Sequence, residues 1–96
     1  MEITFESIIG KTILIGLTYL NKENELLEQK QIYGTIEHAD KSKGISIKQA
    51  DTGDWFYLPP ELNSLSIAAP GEYRLRSTGE VIADPDLLSM WTIHNP

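Results

Sequence analysis

Apolar and polar residues alternate with a period of two along most of this chain. The stretch that organises the pattern is 70–96, PGEYRLRSTGEVIADPDLLSMWTIHNP, with alternating runs at Glu72–Arg76, Glu80–Ala83 and Leu87–His94. Tyr73 and Leu75 point one way while Glu72, Arg74 and Arg76 point the other, as in a strand with one buried face. Ser77-Thr78-Gly79 reads as a tight turn, and Asp84-Pro85-Asp86 as a second, because Pro85 fixes its own φ and biases Asp84 away from the helical region.

From the N-terminus, Ile3 and Phe5 alternate with Thr4 and Glu6, a short first strand or an arm laid on the core. Ser7–Gly10 is ambiguous; a single helical turn capped by Ser7 and ended by Gly10 fits it. Lys11–Leu20 is the strongest strand, with Ile13, Ile15, Leu17 and Tyr19 on one face. Leu14 and Leu20 soften the alternation, which predicts a strand that is bent or covered on both faces, and Gly16 at its middle suggests the bend. Asn21–Glu25 is a polar hairpin tip leading into a second long strand, Leu26–Asp40, with Ile32, Gly34 and Ile36 on one face. ADKSKG at 39–44 is the next turn, and Ile45 and Ile47 alternate with Ser46 and Lys48. After the turn Asp51-Thr52-Gly53-Asp54 comes a short aromatic strand, Trp55–Leu58. Pro59-Pro60 then ends sheet pairing and permits one helical turn. Leu65 and Ile67 alternate with Ser64 and Ser66.

Turn signals every 8–12 residues, strands rich in Ile, Tyr, Thr and Trp, and no sustained 3.6 period predict an all-β fold. The expected form is a small, strongly bent antiparallel barrel or sandwich of the Src-homology-3-like type, with at most one or two short helical turns, in a single domain over 1–96. Shared parity predicts a core of Ile13, Ile15, Leu17, Ile32, Ile36, Ile47, Phe56, Leu75 and Ile93.

Composition narrows the function. A 96-residue chain buries roughly 65% of its extended surface, enough for one modest core. There is no cysteine, so neither disulfides nor thiol chemistry arises. MEITFESIIG carries acids where a secretory leader needs a basic start, and no stretch approaches the ~20 apolar residues of a membrane helix; a cytoplasmic, soluble protein is expected. The net charge of −6 is uneven: residues 1–48 hold seven acids and six lysines, net −1, and residues 49–96 hold seven acids and two arginines, net −5. An acidic half repels nucleic acid and anionic lipid and attracts basic surfaces, or serves solubility alone.

The residues that carry catalysis are poorly represented. His38 and His94 lie far apart without the spacing of a metal site, no Gly-x-Ser-x-Gly exists, and no phosphate loop is present. Glu80, Asp84 and Asp86 cluster but lack the glycine and terminal glutamate of a calcium loop, so turn formation or contact with a basic partner is the better reading. No metal, cofactor or catalytic residue is assigned. Arg74 and Arg76 share an outer strand face, where cross-strand ion pairing is expected. In the aromatic run, Phe56 and Leu58 make the better core pair, which leaves Trp55 and Tyr57 on the other face as interface anchors or as packing under a loop.

GLTYL at 16–20, YGTI at 33–36, LPPEL at 58–62, PGEYRLRSTGEV at 70–81 and DPDLLSMWTIH at 84–94 together resemble a family of small, stand-alone bacterial proteins, largely uncharacterised. That resemblance implies a small all-β barrel of bacterial, cytosolic origin and carries over no catalytic residue. In size, charge and domain type the chain also resembles immunity proteins of bacterial toxins, including contact-dependent inhibition systems. The expected function is therefore occlusion of a basic toxin domain, most readily a nuclease, by a monomer or weak dimer that is not an enzyme. The expected contacts are Asp51, Asp54, Trp55 and Tyr57, with Glu80, Asp84 and Asp86 second. The alternative is a small-barrel adaptor binding a peptide or protein.

Overall fold

A computed structural model describes residues 2–76 and 78–94. Ser77, expected in a turn with Thr78 and Gly79, lies outside them. The chain forms β1 (Thr12–Leu20), β2 (Leu26–Asp40), β3 (Gly44–Gln49), β4 (Trp55–Leu58), a 3-10 turn (Leu62–Ser64), β5 (Leu65–Ile67), β6 (Glu72–Arg74), β7 (Val81–Ala83) and β8 (Leu87–His94). Six strands build one sheet in the order β4-β3-β2-β1-β8-β5, and β6 and β7 form a separate hairpin. The fold is all-β, as the alternation predicts.

The expectation of a wholly antiparallel sheet needs one correction: β8 runs parallel to β1, with Ile13 opposite Leu87 and Leu20 opposite His94. A period of two reports which face is buried and says nothing of strand direction. The direction is set where β8 begins. Asp86 Oδ2 accepts from the Thr12 N–H at 2.9 Å and from the Thr12 hydroxyl at 3.1 Å, while the Asp86 N–H donates to Thr12 Oγ1 at 3.0 Å. This reciprocal clasp starts both strands at the same end.

The sheet is strongly bent. Leu58 at one edge and Leu65 near the other belong to the same apolar cluster as the wholly buried Ile8, Ile13, Ile15, Ile36, Ile45, Ile47 and Leu87. Opposite edges share a cluster when the sheet curls round it. Ile32, Phe56 and Ile93, expected in the core, pack against this cluster while remaining half-buried. Buried Ser89 is satisfied: its hydroxyl donates to the Ser64 carbonyl at 2.9 Å and accepts from the Trp91 indole N–H at 2.7 Å.

On the convex face, Leu14 packs with Leu75 and Ile82 of the β6–β7 segment and with half-buried Tyr33, Tyr73 and Leu88. Strand β1 is thus covered on both faces, and Leu75 sits in a second, smaller core. The bulges fall elsewhere than expected. Gly16 keeps regular register with Gln31 and Met90, while the pairing slips between Tyr19 and Leu20 and again between Ile36 and His38. The second slip makes Glu37 an extra residue, so Ala39 rather than His38 turns to the core.

The N-terminal segment is an arm ending in one helical turn. Thr4, not Ser7, opens it: the Ser7 N–H donates to Thr4 Oγ1 at 3.0 Å and the Thr4 N–H to Ser7 Oγ at 2.9 Å, a reciprocal capping box. The turn buries Ile8 completely and ends at Gly10, whose φ is 85°. At the β2–β3 turn, Asp40 Oδ1 collects the Ser42 hydroxyl, the Ser42 N–H and the Lys43 N–H at 2.6, 2.7 and 3.1 Å. These bonds, the Ser42 hydroxyl first, hold the Asp40 carboxyl below its ordinary pKa.

Candidate functional site

Strand β4 pairs with β3 alone, Ile45 with Leu58 and Lys48 with Trp55, so among the described residues its outer edge is unpaired. Parity sends Leu58 and Phe56 inward. Trp55 and Tyr57 go outward and remain 45% and 65% exposed. Trp55 does not lie loose. Its ring reaches across β3 to stack on His38, with centroids 6.2 Å apart and planes inclined by 23°. A large aromatic ring held in place on an edge strand, with Tyr57 exposed beside it, offers apolar area at little further loss of rotamer freedom for the tryptophan.

The turn before β4 places two carboxylates beside this pair. The Gln49 N–H donates to the Asp54 carbonyl at 2.9 Å and the Gly53 N–H to the Gln49 carbonyl at 3.0 Å, closing the loop. Asp51 Oδ1 accepts from the Thr52 N–H at 2.8 Å, and the Asp54 N–H donates to Thr52 Oγ1 at 3.1 Å. Both acids stay exposed. The Ala50 N–H donates to the Tyr33 carbonyl at 2.9 Å, which ties the turn to the middle of β2.

The second acidic group does not join the first. Thr12 pairs with Thr35, Thr35 with Lys48 and Lys48 with Trp55, so the Asp86 clasp on Thr12 lies three strand spacings, roughly 15 Å, from Trp55. Glu80, Asp84 and Asp86 are also spread apart: Glu80 precedes β7, and the other two follow it. Glu80 is exposed in the hairpin loop, its carbonyl accepting from the Leu75 N–H at 2.8 Å. Asp84 adopts a positive φ of 48° and clasps Gly71: its Oδ1 accepts from the Gly71 N–H and its own N–H donates to the Gly71 carbonyl, each at 2.8 Å. Asp84 and Asp86 are therefore fastened into the fold. Asp86→Ala is expected to cost about 1.5–3 kcal/mol, because it strips a carboxylate from two donors. Asp51→Ala, which loses one local turn bond, should stay within about 0.5 kcal/mol. Urea unfolding of both variants measures this, and equal midpoints would show the clasp to be dispensable.

The arginines depart from expectation. Among the described residues the one ion pair is Lys30–Glu28, at 4.0 Å and exposed. Arg76 instead donates through Nη1 to Gln29 Oε1 at 3.3 Å and through its backbone N–H to Gln31 Oε1 at 2.7 Å. His94 Nε2 meets Asn24 Oδ1 at 2.9 Å, at the far end of the sheet from His38. Among the described residues, no three His, Asp or Glu side chains converge to share an ion, and no helix is long and apolar enough to cross a membrane.

Sequence reasoning missed a groove on the convex face, floored by β1 between β2 and β8, with Tyr73 at its Leu14–Leu88 end and Arg76 over Gln29 and Gln31. Its signal lay in SMWTIH: with Trp91 and Ile93 inward, Met90 had to face outward, opposite Gly16. Compared with known proteins, the chain matches no family model, no curated protein and no solved structure.

Proposed function

We propose that this chain is an immunity protein: a binding protein that neutralises a cognate bacterial toxin domain by covering its basic active-site surface, in the cytoplasm and without catalysis of its own. The observation that carries the reading is the exposed Trp55–Tyr57 pair on the open edge of β4, flanked by the solvent-facing Asp51 and Asp54. An aromatic anchor beside carboxylates suits a cationic protein surface such as the phosphate-binding face of a nuclease. The acids accelerate encounter and the buried aromatics set residence time. Glu80 is the member of the second acidic group that remains available for contact. Asp84 and Asp86 contribute to the surface potential while holding the sheet together.

The test is inhibition of, and surface plasmon resonance against, the toxin domain encoded beside this gene. Asp51→Lys with Asp54→Lys should slow association about tenfold at low salt and by less at high salt, since exposed charges are screened beyond ~8 Å at physiological ionic strength. Trp55→Ala should leave association nearly unchanged and speed dissociation roughly 30-fold, the equivalent of about 2 kcal/mol at an interface centre. Association indifferent to salt and to the charge reversals would leave the acids a solubility role only.

A second reading, an adaptor that adds a partner strand to an exposed edge, is supported by the unpaired outer edge of β4. The two readings part at the backbone. Strand addition survives Trp55→Ala and fails when Pro replaces an edge residue whose N–H points outward, whereas the toxin reading predicts the reverse.

A further inference from the structure

We propose that the convex-face groove binds a single-chain anionic amphiphile, its apolar chain lying along β1 and its head held by Arg76. The groove is independent of the β4 edge and encloses about 290 Å³. Its floor runs along β1 from Leu14 to Thr18, roughly 13 Å at the rise of a strand, with β2 and β8 backbones about 10 Å apart on either side. Leu14 and Leu88 make the inner end apolar. At the middle Met90 folds over Gly16: a Cβ there would come within 2.7 Å of Met90 Sδ. Met90 is nevertheless 76% exposed. An unbranched thioether left in water beside a glycine floor is an adaptable wall for an apolar chain.

The polar groups select the head. The chain has 14 acids and 8 Lys and Arg, yet no Asp or Glu lines this groove. Lys30 lines it with its backbone side only, because its ammonium lies over the Tyr19 ring, 5.9 Å from the centroid, on the other face of the sheet. That leaves Arg76 as the groove's cation. One of its guanidinium N–H groups is directed at Gln29 and no carboxylate pairs with it among the described residues. A planar fork with unused donors matches carboxylate or phosphate oxygens.

The backbone decides between an amphiphile and a peptide. At the groove floor Gly16 pairs with Gln31 on one side and Met90 on the other, so the floor strands bond one another and leave no ladder for an added strand. Affinity must come from apolar contact and one charged head, which is what a single acyl or alkyl chain supplies.

The test is titration of the isotope-labelled full chain with decanoate and decyl phosphate below their micellar concentrations and with decanol below its solubility limit, followed by nuclear magnetic resonance. Decanoate or decyl phosphate should saturably shift the amide signals of Leu14, Gly16, Leu88 and Met90, and decanol should bind about tenfold more weakly for want of a charge-assisted bond. The tighter anion identifies the head as carboxylate or phosphate. Arg76→Gln should bring the anions down to the affinity of decanol. Met90→Glu, at an exposed site where folding is undisturbed, removes the apolar wall and adds a like charge, so it should weaken all three ligands and the two anions more than decanol. Equal binding of decanol and both anions by the wild type, shifts spread over the concave core, or anion binding indifferent to both substitutions would overturn the proposal.

Discussion

Gly34→Ala is expected to cost about 3 kcal/mol or more, the upper range for overpacking against an element that cannot yield. A Cβ at Gly34 would lie 2.2 Å from the carbonyl oxygen of Lys48, 2.9 Å from its carbon and 3.0 Å from the Gln49 Cα. All three are backbone atoms of β3. No rotamer relieves the clash; β2 and β3 must part, and they carry the core residues Ile36, Ile45 and Ile47. A domain of this length has only about 5–14 kcal/mol of net stability, so the loss is a large share of the whole. Gly16→Ala is the control. Its added methyl meets only Met90 Sδ and Cε, the far end of a flexible and exposed side chain. Met90 swings aside, and the cost should stay below about 1 kcal/mol. Urea unfolding followed by Trp fluorescence measures both. Equal midpoints for the two variants would mean that β2 and β3 part at Gly34 without measurable cost.

That pair also marks the boundary of what was legible in the sequence. Both glycines sit mid-strand on alternating runs, and nothing in the local pattern separates a glycine that lets two backbones meet from one that lets a side chain fold over. Parity, by contrast, was legible wherever the register is regular. It placed Ile13, Ile15, Leu17, Ile36 and Ile47 inside, and Trp55 and Tyr57 outside, because the side-chain period of a strand is fixed by its geometry. Parity broke where the register slips, at Tyr19–Leu20 and past Glu37, and it could not tell that Leu75 belongs to the separate convex cluster. Long-range contacts were not legible. The parallel pairing of β1 with β8 joins residues more than 70 positions apart, and the clasp that directs it joins a residue read as strand, Thr12, to one read as turn, Asp86, with nothing local to connect them. For the same reason the acids of the second half read as one surface. Chain proximity grouped Glu80, Asp84 and Asp86, whereas the sheet places β7 between them and fastens two of the three. The groove was legible in one residue, outward-facing Met90, but its other walls come from β2, from β6 and from the loop that follows β6.

Ile15→Ala is expected to cost about 4 kcal/mol and Leu75→Ala about 2 kcal/mol, opposite ends of the range for truncating buried aliphatic side chains. The difference follows from what surrounds each. Ile15 is wholly buried in the concave core, against residues drawn from both ends of the curled sheet, so the space it vacates cannot collapse without unbending that sheet. Leu75 is 7% exposed, and its cluster contains only two other buried side chains, Leu14 and Ile82. Its half-buried neighbours Tyr73 and Leu88 border the open groove and can relax into the gap. The two losses should also differ in kind. The β6–β7 hairpin hydrogen-bonds internally as a sheet of its own, so Leu75→Ala should loosen it while the six-stranded sheet stays intact. Hydrogen exchange separates these cases. Leu75→Ala should speed exchange of the Leu75 amide, which bonds the Glu80 carbonyl, far more than that of the Ile36 amide, which bonds the Lys11 carbonyl. Ile15→Ala should speed both by a similar factor, because it lowers the stability of the whole domain. If Leu75→Ala instead accelerates the two amides equally and costs as much as Ile15→Ala, the convex cluster is one cooperative unit with the barrel, and the groove beside it is as rigid as the core.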